Sequence, residues 1–181
     1  MSGLRVGSGE ACGRRLLAPA GIRPTEALVK AAIFNMLGDA VLDVRVLDVF
    51  AGSGSLGIEA LSRGAAFATF VERSRACASI LGQNLDALRL RTRSRLAVAD
   101  ARRWLEANPE EVRAAAVIIL DPPYEGGAVT PVLEILEGSA APGTLVVAEH
   151  AAGLQPGGRG RLVAVRERRY GGSAVTVLRA A

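Results

Sequence analysis

The sequence predicts an α/β fold in which a mostly parallel β-sheet ends in an antiparallel hairpin. Two observations lead to this prediction. Short apolar segments rich in β-branched residues alternate with segments of helical periodicity, a pattern typical of parallel strands joined by right-handed crossovers. The alternation stops near the end of the sequence, where two strand-like segments flank a Tyr170-Gly171-Gly172 turn. Such a pair is typical of a hairpin added to a parallel sheet.

The stretch from Val46 to Ala60 contains the clearest unit of this fold. It begins with the apolar, β-branched run VLDVF, which favours a buried strand. Gly52, Ser53 and Gly54 then form a glycine-rich turn, and a helical pattern follows until Gly64. Strand, turn and helix together leave free backbone N–H groups beside the carboxyl end of a strand, where open α/β sheets bind their ligands.

The remaining elements follow from the same periodicities. Before the central stretch, Thr25 is placed to cap a helix at residues 27–37, and Phe34 in that helix is expected in the core. After the central stretch, the pattern predicts helices at residues 74–88, 101–107 and 128–137. It predicts strands at residues 67–71, 94–98, 117–120, 145–148, 162–169 and 174–178.

Three acidic residues lie in or directly after three successive strands. Asp48 precedes the glycine turn, Glu72 closes the next strand, and Asp100 follows the third. A carboxylate before the turn would repel a pyrophosphate, so the G-x-G-x-x-G pattern that starts at Gly52 favours a ligand with an ammonium group. Glu72 can accept hydrogen bonds from ribose hydroxyls, and Asp100 can receive the amine of an adenine. An amino-acid head, a ribose and an adenine together describe S-adenosylmethionine.

Composition limits the class of protein. Of the 181 residues, 50% are hydrophobic and 22% are charged, so we expect one globular domain with a sizeable core. The formal net charge is +4 and Lys30 is the one lysine, an arginine excess that suits a polyanionic partner. Cys12 and Cys77 lie in no metal-ligand spacing, so we expect no metal and a reducing, cytoplasmic location. No apolar run is long enough for a bilayer, and we expect no membrane partner.

The first residues differ in character from the rest. Residues 1–24 are polar, glycine-rich and basic, which we interpret as an arm or small hairpin outside the core, followed by the main domain at residues 25–181. Arg14, Arg15 and Arg23, with Thr25, are candidates for contact with the phosphates of a nucleic acid. A terminus that merely lies on the surface is the alternative.

Two further sets of polar residues are assigned no functional role. Arginines alternate at positions 89, 91, 93 and 95, and a solvated edge is preferred over a row that faces phosphates. His150 is the only histidine, and we expect it at the surface, at a strand end, without a catalytic role.

Asp121-Pro122-Pro123-Tyr124 directly follows a predicted buried strand. Two prolines cannot continue a central strand, so the chain leaves the sheet here. The Asp121 carboxylate and the Pro122 carbonyl can hold both hydrogens of an exocyclic NH2 group, while Tyr124 stacks on the base. Such hydrogen bonds favour a more tetrahedral nitrogen whose lone pair can attack a methyl group. The structural alternative is a turn that only leaves the sheet.

The two motifs, DVFAGSG from Asp48 and DPPY from Asp121, resemble those of class I S-adenosylmethionine-dependent methyltransferases that act on an amino nitrogen. The RPT triplet at Arg23, the Phe34-Asn35 pair and the Tyr170-Gly171 tail narrow the resemblance to the RsmD family, over nearly the whole chain. That family methylates the 2-amino group of a guanine in small-subunit (16S) ribosomal RNA. The resemblance implies a mostly parallel, seven-stranded Rossmann-like sheet. It implies catalysis at Asp121, Pro122, Pro123 and Tyr124, and a cofactor site at Asp48, Phe50, Ala51, Gly52, Ser53, Gly54, Glu72, Arg73, Asp100 and Ala101.

The resemblance also implies S-adenosylhomocysteine as product and 16S rRNA in an assembling small ribosomal subunit as partner, and we expect a monomer. One departure concerns RNA docking: the first helix of the family usually carries an Arg-Glu pair, and this sequence has Lys30 and Ala31. An adenine 6-amino DNA methyltransferase is one alternative, but it usually needs an added DNA-reading domain for which this sequence has no spare length. A non-catalytic RNA-binding module with the same fold is the other.

Overall fold

This computed structural model describes residues 4–19, 27–122, 128–154, 156 and 160–181. These residues contain a seven-stranded β-sheet. Its strands are β1 (Arg45–Val49), β2 (Phe67–Glu72), β3 (Ser94–Val98), β4 (Val117–Leu120), β5 (Leu145–Ala151), β6 (Leu162–Tyr170) and β7 (Ser173–Ala180). The spatial order is β3-β2-β1-β4-β5-β7-β6. Strands β1 to β5 are parallel, and β7 lies antiparallel between β5 and β6. The predicted fold class is confirmed.

Helices cover both faces of this sheet. They are α1 (Ala27–Leu37), α2 (Ser55–Ser62), α3 (Arg75–Ala87), α4 (Ala101–Ala107), α5 (Pro109–Ala114) and α6 (Val129–Ser139). Helices α1 to α3 share one core with Val46 and Ile119, and α4 to α6 share the other with Leu47 and Ile118. Successive side chains of a strand point to opposite faces. Strand β4 is apolar throughout, and β1 is apolar except for Arg45 and Asp48, because both faces of these strands are buried. No helix in these ranges is long and apolar enough to cross a membrane.

The element ends differ from the prediction where non-local pairing decides them. Helix α5 is absent from the prediction because its six residues, Pro109–Ala114, are too few to display a helical period. Strand β5 continues to Ala151, beyond its apolar run, because it pairs with β7 along its whole length. This pairing buries His150, whose Nε2 lies 2.8 Å from the Thr176 hydroxyl and whose Nδ1 lies 2.8 Å from the Ala151 carbonyl oxygen. The prediction of a surface histidine was wrong.

Residues 4–16 form a small hairpin, which we call the N-terminal hairpin, closed by a bridge between Arg5 and Arg15. The polar composition placed this segment outside the core, but Val6, Ala11 and Leu16 are buried in the core that α1 to α3 share. The composition did not predict this, because three apolar residues among many polar ones follow no regular period. The hairpin is therefore part of the packed structure of the main domain.

Candidate active site

The candidate residues lie along one edge of the sheet, where the carboxyl ends of the parallel strands meet. In the register of the sheet, Val49 of β1 lies between Val71 of β2 and Leu120 of β4. The residues that follow these partners, Glu72 and Asp121, therefore flank the start of the glycine turn. The prediction that the strand before Asp121 neighbours the strand before the turn is confirmed by the direct pairing of β4 with β1.

The turn itself has an unusual backbone. Phe50, Gly52 and Gly54 have φ values of 77°, 56° and 84°, in the left-handed region. For a non-glycine residue such as Phe50 this conformation costs about 1–3 kcal/mol, and such strain concentrates at functional sites. A Cβ atom added at Gly52 would meet no described atom within 4 Å, whereas one added at Gly54 would clash with Leu81. The turn thus presents bare backbone to the open side and packs tightly on the other.

Asp48 lies beneath the turn and is 1% exposed. Its Oδ2 accepts a hydrogen bond of 2.8 Å from the backbone N–H of Gly57 in the first turn of α2. Burial raises the pKa of Asp48 to about 7; the Gly57 N–H opposes this shift, and the charge of Glu72 adds to it. A cation placed near Asp48 would therefore stabilise its ionised form.

Gly57 is required by packing. A Cβ atom at this position would clash with the ring of Phe70 in β2 and would lie 3.0 Å from Oδ2 of Asp48. Helix α2 therefore approaches the sheet closely at its first turn, which keeps its N-terminus directed at the open side of the glycine turn.

Glu72 joins the turn to the start of α3. Its Oε2 accepts a hydrogen bond of 2.8 Å from the N–H of Gly52, and its Oε1 accepts one of 2.7 Å from the N–H of Ser74. Two backbone donors fix the carboxylate at the sheet edge, and each oxygen retains a lone pair for a further donor. Such a rigid acceptor suits a pair of ribose hydroxyls. Arg73, the next residue, is exposed.

Asp100 begins α4 as its N-cap. Its Oδ1 accepts a hydrogen bond of 3.2 Å from the N–H of Arg103, and its side chain is exposed at the same edge of the sheet. Ala101 behind it is buried. Asp100 can cap α4 and still accept a hydrogen bond from an adenine amine, because its carboxylate has lone pairs for both.

The second motif begins at the end of β4. Asp121 is half-buried at the sheet edge and Pro122 is buried. Pro123 and Tyr124, the other two catalytic candidates, lie outside the described residues.

Arg14, one of the candidates for RNA contact, lies away from this edge. Arg14 donates a hydrogen bond of 3.2 Å to the Ala87 carbonyl at the end of α3, which is toward the opposite, amino edge of the sheet. Arg15 is exposed on the N-terminal hairpin. Arg23 and Thr25 lie outside the described residues. The arginines of the predicted solvated edge include three that form ion pairs, Arg91 with Asp86, Arg93 with Glu10 and Arg95 with Glu111.

Sequence reasoning missed Asn84, a buried residue of α3 that supports the turn. Its side-chain amide donates 2.9 Å to the Ser53 carbonyl and 3.0 Å to the Leu17 carbonyl, and its Oδ1 accepts from the N–H of Leu17. Asn84 thus ties the glycine turn to the segment after the N-terminal hairpin. The available signal was a polar residue beside Leu81 and Leu85 on the apolar face of a helix.

The sequence also did not predict a buried ion pair beneath the site. Nζ of Lys30 lies 3.3 Å from Oε2 of Glu59, and the two side chains are 5% and 1% exposed. Lys30 also donates 2.5 Å to the Arg5 carbonyl, and Glu59 accepts 2.9 Å from Nε of Arg63 and 2.7 Å from the N–H of Gly7. The lysine that departs from the family pattern thus joins α1, α2 and the N-terminal hairpin.

Comparison with known proteins decides the family. The profile of the family described as "Conserved hypothetical protein 95" matches residues 4–179. The chain belongs to this family, the RsmD family. The chain is 38% identical over 179 residues to "Putative rRNA methyltransferase YlbH" of Bacillus subtilis, covering 96% of this chain and 97% of that relative. It is 36% identical over 138 residues to "Ribosomal RNA small subunit methyltransferase D" of Escherichia coli, covering 74% of this chain and 67% of that relative.

Solved structures share the fold of this chain. The structure of yhhF from Escherichia coli superposes with a TM-score of 0.86 at 30% identity, over 99% of this chain and 98% of that one. An RNA methyltransferase from Salinibacter ruber, solved in complex with S-adenosyl-L-homocysteine, has a TM-score of 0.68 at 20% identity, over 87% and 94% of the two chains. The latter likeness concerns the fold, which is the Rossmann-like fold of class I methyltransferases.

Proposed function

We propose that this chain transfers a methyl group from S-adenosylmethionine to the exocyclic 2-amino group of a guanine in 16S ribosomal RNA. The observation that carries the proposal is the parallel pairing of β1 with β4, which brings the glycine turn and Asp121 to one edge of the sheet. The relatives in the RsmD family are named for rRNA methylation, which supports the substrate class. S-adenosylmethionine is the cofactor.

The residues around the glycine turn fit this cofactor. The Asp48 carboxylate would face the ammonium group, Glu72 would accept the ribose hydroxyls, and Asp100 would receive the adenine amine. The open backbone of Gly52 admits a ligand without displacing any described side chain. The remaining candidates would line the same pocket: Phe50, Ala51, Ser53, Gly54, Arg73 and Ala101.

The acceptor would be held at the end of β4. When bound, S-adenosylmethionine supplies an electrophilic methyl group on sulfur. The Asp121 carboxylate and the Pro122 carbonyl would accept the two hydrogens of the guanine amine, which directs its lone pair at that methyl group. The amine nitrogen would take up the methyl group with release of the neutral thioether, and one N–H proton would then leave toward Asp121 and solvent. Tyr124 would stack on the base, which must be unstacked from the RNA to reach it.

The decisive experiment is incubation with a radiolabelled methyl donor and small ribosomal subunits that lack the modification, followed by identification of the labelled nucleoside. We expect N2-methylguanosine in 16S rRNA. A parallel incubation with unmethylated DNA that labelled the 6-amino group of adenine would instead support the DNA methyltransferase. RNA binding without any label would support the non-catalytic module.

Asp121→Asn tests the role of the acceptor carboxylate. We expect methyl transfer to fall by at least about 100-fold, because a charged acceptor is replaced by a neutral one at the reacting amine. Affinity for S-adenosylhomocysteine, measured by calorimetry, is expected to stay within about twofold. A parallel loss of cofactor affinity would contradict this assignment and would place Asp121 in the cofactor pocket.

The setting of the reaction follows from the substrate. We propose that the chain acts as a monomer in the cytoplasm on an assembling small subunit, while the target guanine is still accessible. Comparing label uptake by free 16S rRNA, by partly assembled particles and by complete subunits tests this order.

A further inference from the structure

The net basic charge of this chain arises from residues 160–181, which contain its last two strands. Residues 160–181 contain five arginines and one glutamate, a formal charge of +4 that equals the charge of the whole chain. Residues 1–159 are balanced, with 17 basic and 17 acidic side chains. The field that would attract a polyanion therefore originates mainly at β6 and β7 rather than at the N-terminal hairpin.

Several of these arginines lie on one face of the sheet. In the register of the hairpin, Arg166 is opposite Val177, and Arg168 is opposite Val175. Val175 and Val177 belong to the core that α1 covers, and Arg179 follows two residues later on the same face of β7. The three arginines thus lie on the α1 side of the sheet, on its outer strand and the strand next to it.

Two of these cations are available to a partner. Arg166 donates a hydrogen bond to the Met36 carbonyl at the end of α1. Arg168 and Arg179 are exposed, and no hydrogen bond or ion pair joins either side chain to another described residue. Arg166 and Arg168 also line a groove between α1 and β6. Alternate residues of a strand are about 7 Å apart, which is comparable to the separation of successive phosphates along one nucleic-acid strand.

The face that carries Arg166, Arg168 and Arg179 extends to the sheet edge where the candidate active site lies. Strand β6 runs in the same direction as β5, because both are antiparallel to β7. Its Tyr170 end therefore lies at the carboxyl edge of the sheet, where Asp121 and the glycine turn lie. Arg168 is two residues from this edge, and Arg179 is near the opposite end of the hairpin.

A purely structural role is the competing explanation. Strand β6 is the outer strand, and Val163 and Val165 on it are half exposed. Charged side chains on an exposed strand prevent pairing with a second copy of the chain. This role predicts self-association when the charges are removed, and it makes no prediction about RNA.

We propose that the face formed by Arg166, Arg168 and Arg179 is a docking surface for the substrate rRNA. It would bind the phosphate backbone of the rRNA segment that leads away from the target guanine. This inference rests on the proposed function for the identity of the RNA. The surface adds affinity and orientation through phosphate contacts, and the reacting base is selected at Asp121.

The test compares two double variants of the full chain that remove the same charge. Arg168→Gln with Arg179→Gln alters the proposed surface. Arg102→Gln with Arg113→Gln alters exposed arginines of α4 and α5 on the opposite face of the sheet. The probe is a 16S rRNA transcript, and its affinity is measured across a series of KCl concentrations. Thermal melting and S-adenosylhomocysteine binding verify that both variants fold.

We expect the slope of log affinity against log salt to decrease by about 1.4 for the Arg168 and Arg179 variant, about 0.7 per lost contact to a single strand. The Arg102 and Arg113 variant should keep the original slope. Equal slopes for the two variants would overturn the proposal. Self-association of the Arg168 and Arg179 variant with an unchanged slope would also overturn it, in favour of edge protection. Methyl transfer by the unaltered chain is measured separately, so a failure of the proposed function is distinguishable from a failure of this surface.

Discussion

At the scale of single residues, Asp48 links stability to the cofactor site. Its pKa in the folded chain is about 7 against an ordinary value of 3.8, mainly because of burial. The folded state therefore holds a proton that the unfolded state has lost, and the free energy of unfolding falls as pH rises from about 4 to 7. An ionised Asp48 above pH 7 is a destabilising feature that a ligand with an ammonium group would relieve.

The variant Asp48→Asn should be more stable than the unaltered chain above pH 7, by on the order of 4 kcal/mol. Asparagine keeps an oxygen for the Gly57 N–H and removes the buried charge. Urea unfolding between pH 4 and pH 9 should give a flatter profile for the variant, and the two profiles should converge toward pH 4. If the free energy of unfolding changed equally with pH in both proteins, Asp48 would not titrate in this range, which would contradict the prediction.

Gly57 offers a test of close packing. Gly57→Ala should destabilise the chain by about 1–3 kcal/mol, because the new methyl group meets the Phe70 ring. Combining it with Phe70→Leu should recover part of this loss, which a double-mutant cycle measures. Gly138→Ala in α6 is the matched control, since a Cβ there meets no described atom and alanine favours helix. Additive effects of Gly57→Ala and Phe70→Leu would contradict the packing argument.

At the scale of secondary-structure elements, the Lys30–Glu59 pair joins α1, α2 and the N-terminal hairpin. Glu59→Gln should cost about 3–5 kcal/mol, because it leaves the Lys30 ammonium buried without its countercharge. Adding Lys30→Met to that variant should restore much of the loss. Breaking the exposed Arg102–Glu106 pair with Arg102→Gln should change stability by less than about 1 kcal/mol. Chemical denaturation measures the stability of all three variants. An equal loss from breaking the buried pair and the exposed pair would contradict the structural role of the Lys30–Glu59 pair.

The elements predicted from sequence are those whose signals are local. The apolar run of β1, the glycine turn and the helical period of α3 each lie within a few consecutive residues. The burial of His150 was not predictable, because it depends on pairing with Thr176, which is distant in the sequence. The Lys30–Glu59 pair was not predictable either, since only the tertiary fold brings these two residues of α1 and α2 together.

The candidate site follows the same division. The carboxylates of Asp48, Glu72 and Asp121 could be placed at one sheet edge from the sequence, because strand ends in a parallel sheet meet there. Their hydrogen bonds to Gly57, Gly52 and Ser74 could not, since they depend on the three-dimensional path of the turn. The sequence also assigned RNA contact to the N-terminal segment, whereas the excess charge lies in β6 and β7.

At the scale of the whole molecule, a ligand that binds only the folded chain should stabilise it. S-adenosylhomocysteine at 100 times its Kd should add about 2.7 kcal/mol. For a chain of this size that corresponds to a rise in Tm of about 5–10 °C. Differential scanning fluorimetry measures the shift, and Asp48→Asn should show a smaller one at the same concentration. An unchanged Tm at saturating ligand would contradict the assigned cofactor pocket.

The position of β7 has a consequence for synthesis. It is the last of the seven strands to leave the ribosome, yet it is inserted between two earlier ones, β5 and β6. Until β7 is synthesised, one edge of β5 lacks a hydrogen-bonding partner strand, and β6 has no strand to pair with. Folding of this half of the molecule must therefore wait for translation of the final strand, and nascent chains stalled before Ser173 should be the species that chaperones retain and that aggregate.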